Sequence, residues 1–137
     1  MMGTPYREIL ESMKTAIEEG FENLKVSIGP KHLATSFPCC MVSVGPATET
    51  PVSIGGRKNR KVPVTIEVLV RDYASKDEGY LQLVDIVGHL EEMARQPTFL
   101  QSYTSRLTDT EFSGTPFYHE NQFIHSASIG LTVDLNL

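Results

Sequence analysis

The chain has 137 residues, of which 40% are hydrophobic and 21% charged, and its net charge is −5. This length fits one domain, residues 1–137, with a core that needs no disulfides, and the charge is too small to predict a polyanionic partner for the whole molecule. No apolar run approaches the ~20 residues of a transmembrane helix, and the first residues lack the basic start and apolar stretch of a signal peptide. We therefore expect cytoplasmic synthesis and no membrane partner.

The first predicted element is an amphipathic helix from Pro5 to Glu22. Thr4 can serve as its N-cap, and Pro5 occupies the first helical position, where a missing amide costs nothing. Apolar residues recur at three- and four-residue steps and predict a buried stripe: Tyr6, Ile9, Leu10, Met13, Ile17, Phe21 and Leu24. Acidic residues predict a solvated outer face: Glu8, Glu11, Glu18, Glu19 and Glu22.

Two short strands are predicted next, at residues 24–28 and at Cys39–Val44. Gly29 and Pro30 end the first strand. Cys39 and Cys40 are adjacent and cannot close a loop, so no disulfide is expected to hold the fold together.

A loop and a longer strand follow. Thr48–Pro51 is loop-like, Val52–Ile54 can pair briefly, and Gly55 with Gly56 turns the chain. Apolar and polar residues then alternate over Val62–Val70, which predicts a half-buried strand. Pro63 has no amide to donate, so that end of the strand is expected to be an edge or a bulge.

The second predicted helix begins with the capping-box pattern of Ser75 to Glu78 and ends near residue 96, before Pro97. Its buried stripe comprises Leu83, Ile86, Val87, Leu90, Met93 and Ala94.

Two strands complete the chain. Tyr103–Phe112 predicts an outer strand. Residues 123–137 predict a long half-buried one, because apolar side chains occupy the odd positions other than His125 and polar side chains occupy most of the even ones. Fifteen residues span roughly 50 Å, so we expect this strand either to bend at Gly130 or to outrun its own sheet and pair with another molecule. The predicted fold class is α+β, a mostly antiparallel sheet of four to five strands with two main α-helices on one face.

Residues with catalytic or metal-binding chemistry are few. His119, Glu120 and His125 are the candidate residues for an enzyme pocket, but the spacing of the four histidines does not match a zinc site, and no nucleophile elbow or phosphate-binding loop occurs. We therefore predict no enzyme, no metal and no cofactor.

Arg57, Lys58, Arg60 and Lys61 put four positive charges into a predicted loop on an acidic body. Such a loop can contact phosphates or an acidic protein surface, or it can be a solvated hairpin tip that deters edge aggregation. Phe117 and Tyr118 are a second candidate contact, because exposed aromatic residues often anchor interfaces, although they can also fold back onto the core.

The arrangement of these elements resembles the phage and prophage tail-completion proteins of the tail-terminator class. The resemblance covers nearly the whole chain and is carried by the helix Pro5–Glu22, the strand from Pro38 to Val44, the segment Gly55-Gly56-Arg57-Lys58, the strand Val62–Val70, the capped helix from Ser75 and the final strand Ala127–Leu135.

This resemblance implies a virion tail protein, assembled in the bacterial host cytoplasm, that forms a ring, usually a hexamer. The ring caps the tail tube, meets the tail tube protein and the head-connector protein, and surrounds a lumen that can hold DNA. The long final strand is expected to lend backbone edges to neighbouring subunits. The alternatives are another head-tail connector or minor tail protein, and a small nucleic-acid-binding module that uses residues 57–61.

Overall fold

A computed structural model describes residues 5–29, 37–46, 48–51, 58–71, 76–100, 103–114, 116–119 and 122–136. Its elements in chain order are α1 (Pro5–Gly20), β1 (Lys25–Ile28), β2 (Cys39–Val44), β3 (Thr48–Pro51), β4 (Lys58–Arg71), α2 (Lys76–Ala94), β5 (Thr104–Phe112), β6 (Phe117–His119) and β7 (Gln122–Asn136).

The strands form one sheet whose main path is β1-β2-β4-β7-β5, with β3 beside β4 and β6 beside β7. Among the described strands, β1 and β2 are the one parallel pair, and the other pairings are antiparallel. The predicted α+β class, with a mostly antiparallel sheet, is confirmed.

Both helices pack on the same face of this sheet. The predicted apolar stripes of the helices point into the core, where Ile9, Met13 and Ile17 of α1 and Leu83 and Leu90 of α2 are fully buried. The sheet contributes every second residue of its two central strands to the same core: Val62, Val64, Ile66, Val68 and Val70 of β4, and Ala127, Ile129, Leu131, Val133 and Leu135 of β7.

The final strand, β7, lies inside the sheet. It pairs with β4 from Ile124 to Asn136 on one side, and with β6 and then β5 on the other. Every residue from Gln122 to Asn136 therefore has a partner within the chain, and the prediction that β7 outruns its own sheet is wrong. Gly130 lies opposite Asp109, where the register of β5 shifts between Leu107 and Asp109. The missing side chain leaves room for this bulge, because a Cβ there would lie 2.2 Å from an oxygen of Asp109.

Two predictions between β2 and β4 are corrected. Thr48–Pro51, predicted as loop, is strand β3, and Lys58–Lys61, also predicted as loop, opens β4 and pairs with it. Neither segment is predicted as strand, because the polar and charged residues of β3 and of the start of β4 show no apolar alternation. Val52–Ile54, Gly55, Gly56 and Arg57 lie outside the described residues, as do the predicted caps Thr4 and Ser75.

The expected irregularity at Pro63 is present. On that side of β4, pairing with β2 ends at Val64 and pairing with β3 begins at Lys61. Pro63 lies in the gap, where its missing amide leaves no strand hydrogen bond unmade, and its carbonyl accepts one from the amide of Gly45 at 2.7 Å. Gly29, with a φ of 90°, ends β1 in the left-handed region that favours glycine.

Candidate interaction surfaces

The basic segment is part of the sheet. Lys58 and Lys61 lie opposite Pro51 and Thr48 of β3, and Lys61 also lies opposite Asp134 of β7. Arg57 lies outside the described residues. Lys58, Arg60 and Lys61 are therefore carried by a strand and not by a loop tip, and the role of the basic segment in contacts with a partner stays a prediction.

Arg60 contacts its own chain. Its guanidinium Nη1 donates a hydrogen bond of 2.5 Å to the hydroxyl of Tyr6, in the first turn of α1. Nearby, the hydroxyl of Tyr103 donates to the carboxylate of Glu8, and this bond raises the pKa of Tyr103. Arg60 thus joins β4 to the start of α1, a role that its place in a basic cluster does not indicate.

Phe117 and Tyr118 lie in the short strand β6, opposite Ile124 and Phe123 of β7. Tyr118 is 61% exposed, and its ring meets that of Phe123 edge to face, with 5.2 Å between the ring centroids. Tyr118 therefore contacts the sheet through the ring of Phe123 and exposes most of its own surface to solvent. This exposure is consistent with the predicted contact role, which stays a prediction.

An apolar surface that the sequence analysis did not single out lies between α2 and the end of β5. It consists of the exposed side chains of Tyr80, Leu81, Val84 and Phe112, and Leu81 is 60% exposed. Beside it, a cleft of about 480 Å³ is lined by Asp77, Tyr80, Leu81, Ser113, Gly114, Pro116 and His125. The sequence does contain one indication of this surface. Three apolar residues of α2 lie outside its predicted buried stripe: Tyr80, Leu81 and Val84.

A second cleft is polar and lies on the opposite face of the sheet. Glu67, Ser128 and Glu111 follow one another across β4, β7 and β5 in a single row of the register. These three residues and Ser126 help to line a groove of about 360 Å³. Two carboxylates that flank serine hydroxyls make this groove acidic.

The histidines of the proposed enzyme pocket belong to different strands. His119 lies in β6 opposite Gln122, whereas His125 lies in β7 opposite Val70 and is buried beside the ring of Tyr80. Glu120 lies outside the described residues. The two histidines are therefore not carried by one strand. Within the described ranges no three His, Cys, Asp or Glu side chains are grouped to hold a metal ion.

The two cysteines are reduced and buried, and they belong to different apolar clusters. Cys40 lies in the main core, and Cys39 packs with Met41, Leu69 and Ile124 in a smaller cluster. Burial, followed by the neighbouring charges of Cys39 and Glu18, raises the pKa of Cys40 to about 12. Cys40 is therefore a neutral thiol at physiological pH, and a neutral thiol is a poor nucleophile.

Comparison with known proteins adds no relative. No protein-family model matches the chain, and a search of curated proteins finds no match. Neither helix of the described chain has the length and apolar character needed to cross a membrane.

Proposed function

We propose that this protein is a structural component of a phage-like tail, of the tail-terminator class, that caps the tail tube as a ring of identical subunits. The observation that carries the proposal is the form of the sheet. Its path ends at β1 on one side and at β5 on the other, and no other strand among the described residues pairs with their outer edges. A ring of one repeated subunit needs two different surfaces that match each other, and an open sheet with two unlike edges offers them.

The expected role of the final strand changes under this proposal. Because β7 is paired along its length inside the chain, it cannot lend a free backbone edge to a neighbour. The edge strands β1 and β5 take over that role, and β7 becomes the central support between β4 and β5.

Two partners follow from the class of protein. The tail tube protein meets one side of the ring, and the head-connector protein meets the other. The basic residues Arg57, Lys58 and Lys61 can face a neighbouring subunit, DNA in the lumen or solvent. The other phage roles considered, a head-tail connector or a minor tail protein, use the same kind of scaffold and differ in the partner bound.

The test is native mass spectrometry and electron microscopy of the purified protein, alone and with phage tail tubes from the same source. A closed ring, or a monomer that forms rings at the ends of tail tubes, supports the proposal. Rings that bind head vertices and ignore tail tubes assign the connector role instead. A strict monomer that binds DNA with strong salt dependence contradicts the tail role and indicates the nucleic-acid-binding alternative.

A further inference from the structure

Two apolar patches lie at opposite ends of the sheet, on the face that carries the helices. The β5 patch consists of Tyr80, Leu81, Val84 and Phe112. The β1 patch consists of Ile28 and Val44, which are 42% and 40% exposed. Ile28 lies opposite Val42, two residues from Val44 on the same strand, so the two side chains are diagonal neighbours on one face. Exposed apolar side chains in contact with one another mark interaction sites more often than single ones do.

The register places Phe112 and Ile28 within two residues of one row that crosses the sheet. This row runs from Phe112 through Ala127, Val68 and Cys40 to Val26, and so crosses all five strands of the main path. Phe112 belongs to the β5 patch, and Val26 is two residues from Ile28. Five strands at about 4.8 Å spacing separate the ends of this row by roughly 19 Å. The patches therefore lie at the two ends of one apolar layer, whose middle is covered by the helices and whose ends are exposed.

The charges beside the two patches are of opposite sign. Lys25 is exposed on β1, whereas Asp109 and Glu111 are exposed on β5, with Asp77 and Glu78 exposed at the start of α2. Arg106 is the one exposed cation on β5. When one copy brings its β1 edge to the β5 edge of another, Lys25 approaches Asp109 and Glu111 on the polar face of the sheet, so opposite charges meet beside the apolar contact. Complementary charge of this kind fixes register and favours one docking partner over others.

We infer that the β5 patch is the docking site for the β1 patch of a second copy of this chain. The inference rests on the proposed ring and names its subunit contact. Because the patches differ, each contact leaves one patch free on either copy, so the contact repeats from copy to copy until the ring closes. Across the contact, the apolar layer and the helix layer of one subunit continue into the next.

Single charge substitutions test each patch. Leu81→Glu puts a carboxylate into the β5 patch, and Ile28→Glu does the same to the β1 patch. Gln96→Glu is the matched control, because it adds the same charge at an exposed position beyond the end of α2, away from both patches. We expect each patch variant to be a monomer in native mass spectrometry at concentrations where the wild type and Gln96→Glu form rings. Far-UV circular dichroism and thermal unfolding establish that each variant is folded. Leu81→Ala, which adds no charge, is expected to weaken assembly to an intermediate degree, so the test does not depend on one variant.

Mixing the two monomeric variants tests the head-to-tail arrangement. The Leu81→Glu protein keeps an intact β1 patch, and the Ile28→Glu protein keeps an intact β5 patch. An equimolar mixture can form one good contact and no second one, so we expect a 1:1 dimer and no larger species. A contact between two like patches predicts a different result, in which one variant still self-associates and mixing adds nothing.

The outcomes separate this inference from the proposed function. Rings that persist in both patch variants, or are lost in only one of them, overturn the inference and leave the tail role standing. Patch-dependent rings that fail to bind tail tubes support the inference and contradict the tail role. A wild type that stays monomeric both alone and on tail tubes overturns both.

Discussion

Adjacent residues on a strand can meet different environments, and Cys39 and Cys40 illustrate this. Their side chains point to opposite faces of β2, so Cys40 enters the core beneath the helices while Cys39 joins the smaller cluster on the other face. Burial keeps the thiol of Cys40 protonated, as its raised pKa shows. Cys40 therefore contributes to the protein as a small apolar side chain whose ionisation opposes folding.

This burial predicts a loss of stability at alkaline pH. In the unfolded chain the thiol of Cys40 ionises near its ordinary pKa of 9.0, whereas in the folded protein the pKa is about 12. The folded state thus holds the proton that the unfolded state releases, and the stabilising contribution is complete below pH 9 and is lost progressively as the pH rises toward 12. We expect ionisation of this residue in the unfolded chain to lower the free energy of unfolding by roughly 1 kcal/mol at pH 10 relative to pH 7.

Urea unfolding under reducing conditions, from pH 7 to pH 10, measures this effect. Cys40→Ala is expected to be less stable than the wild type at pH 7 because it leaves a cavity, but to lose less stability between pH 7 and pH 10. An identical pH dependence in the two proteins contradicts the prediction.

The hydrogen bond between Arg60 and Tyr6 predicts a stability role for a residue that looked like part of a binding loop. Tyr6→Phe removes the acceptor and leaves the half-buried guanidinium of Arg60 with one bond fewer. We expect the free energy of unfolding to fall by about 0.5–1.5 kcal/mol, the usual net value of one hydrogen bond. Tyr80→Phe is the control, because Tyr80 is 42% exposed and its described contacts are made by its ring, so removal of its hydroxyl is expected to change stability by no more than about 0.5 kcal/mol. Equal effects of the two substitutions on urea unfolding are the contrary result.

At the scale of elements, the sequence predicts periodic segments well and partners poorly. The apolar stripes of α1 and α2 and the alternation in β4 and β7 identify both helices and the two longest strands, because burial of one face leaves a regular pattern. The alternation of apolar and polar residues does not indicate which strands are neighbours in the sheet, so it does not predict that β7 lies between β4 and β5. The polar strand β3 and the basic start of β4 carry no apolar pattern, so the sequence predicts loop for both.

The β5 patch escaped the sequence analysis for a related reason. Its members come from two elements, Tyr80, Leu81 and Val84 from α2 and Phe112 from β5, and only the packing of α2 beside β5 brings them together. The ring centroids of Tyr80 and Phe112 lie 6.3 Å apart, although 31 positions separate the residues in the chain. No stretch of sequence as short as one helix or strand contains the whole patch, so a search for periodic segments does not find it.

The sheet order predicts how amide protection is distributed. The central residues of β7, such as Ile129 and Leu131, lie between β4 and β5, and their amides are expected to exchange only on global unfolding. The four-residue edge strand β1 is expected to exchange faster, by local opening. Hydrogen exchange followed by mass spectrometry on the Leu81→Glu variant, expected to be monomeric, measures both. In the assembled wild type we expect added protection at β1 and β5 and little change at β7; added protection confined to β7 argues against contacts at the sheet edges.

At the scale of the whole molecule, the two faces of the sheet differ in composition. One face holds the core and both helices and ends in the two apolar patches. The other is mostly polar, with Thr65, Glu67, Ser126 and Ser128 on its central strands and the small cluster around Leu69 at one end. A ring built by joining sheet edges keeps these faces apart, so one side of every subunit contact is apolar and the other is charged. Four of the five predicted glutamates lie on α1 and Glu22 lies just beyond its end, and all five are exposed. Glu8 accepts a hydrogen bond from Tyr103 and Glu11 pairs with Arg7, so Glu18, Glu19 and Glu22 are the part of this acidic surface that can meet a basic partner.

Substitutions in the basic segment, residues 57–61, test whether its positive charges contribute to ring assembly. Arg60 donates a hydrogen bond to Tyr6, so reversing its charge would disturb the fold as well as any contact with a partner. We therefore predict that the double substitution Arg57→Glu/Lys58→Glu weakens ring assembly, and does so more at low salt, because attraction between exposed charges is screened as ionic strength rises. Lys14→Glu/Arg95→Glu is the control, since it reverses the same number of charges, one on α1 and one just beyond the end of α2. Native mass spectrometry across a salt series provides the measurement. Unchanged assembly together with lost binding to DNA assigns the segment to the lumen, whereas unchanged assembly with unchanged binding to DNA and to tail tubes leaves it as a solvated, charged stretch of the sheet.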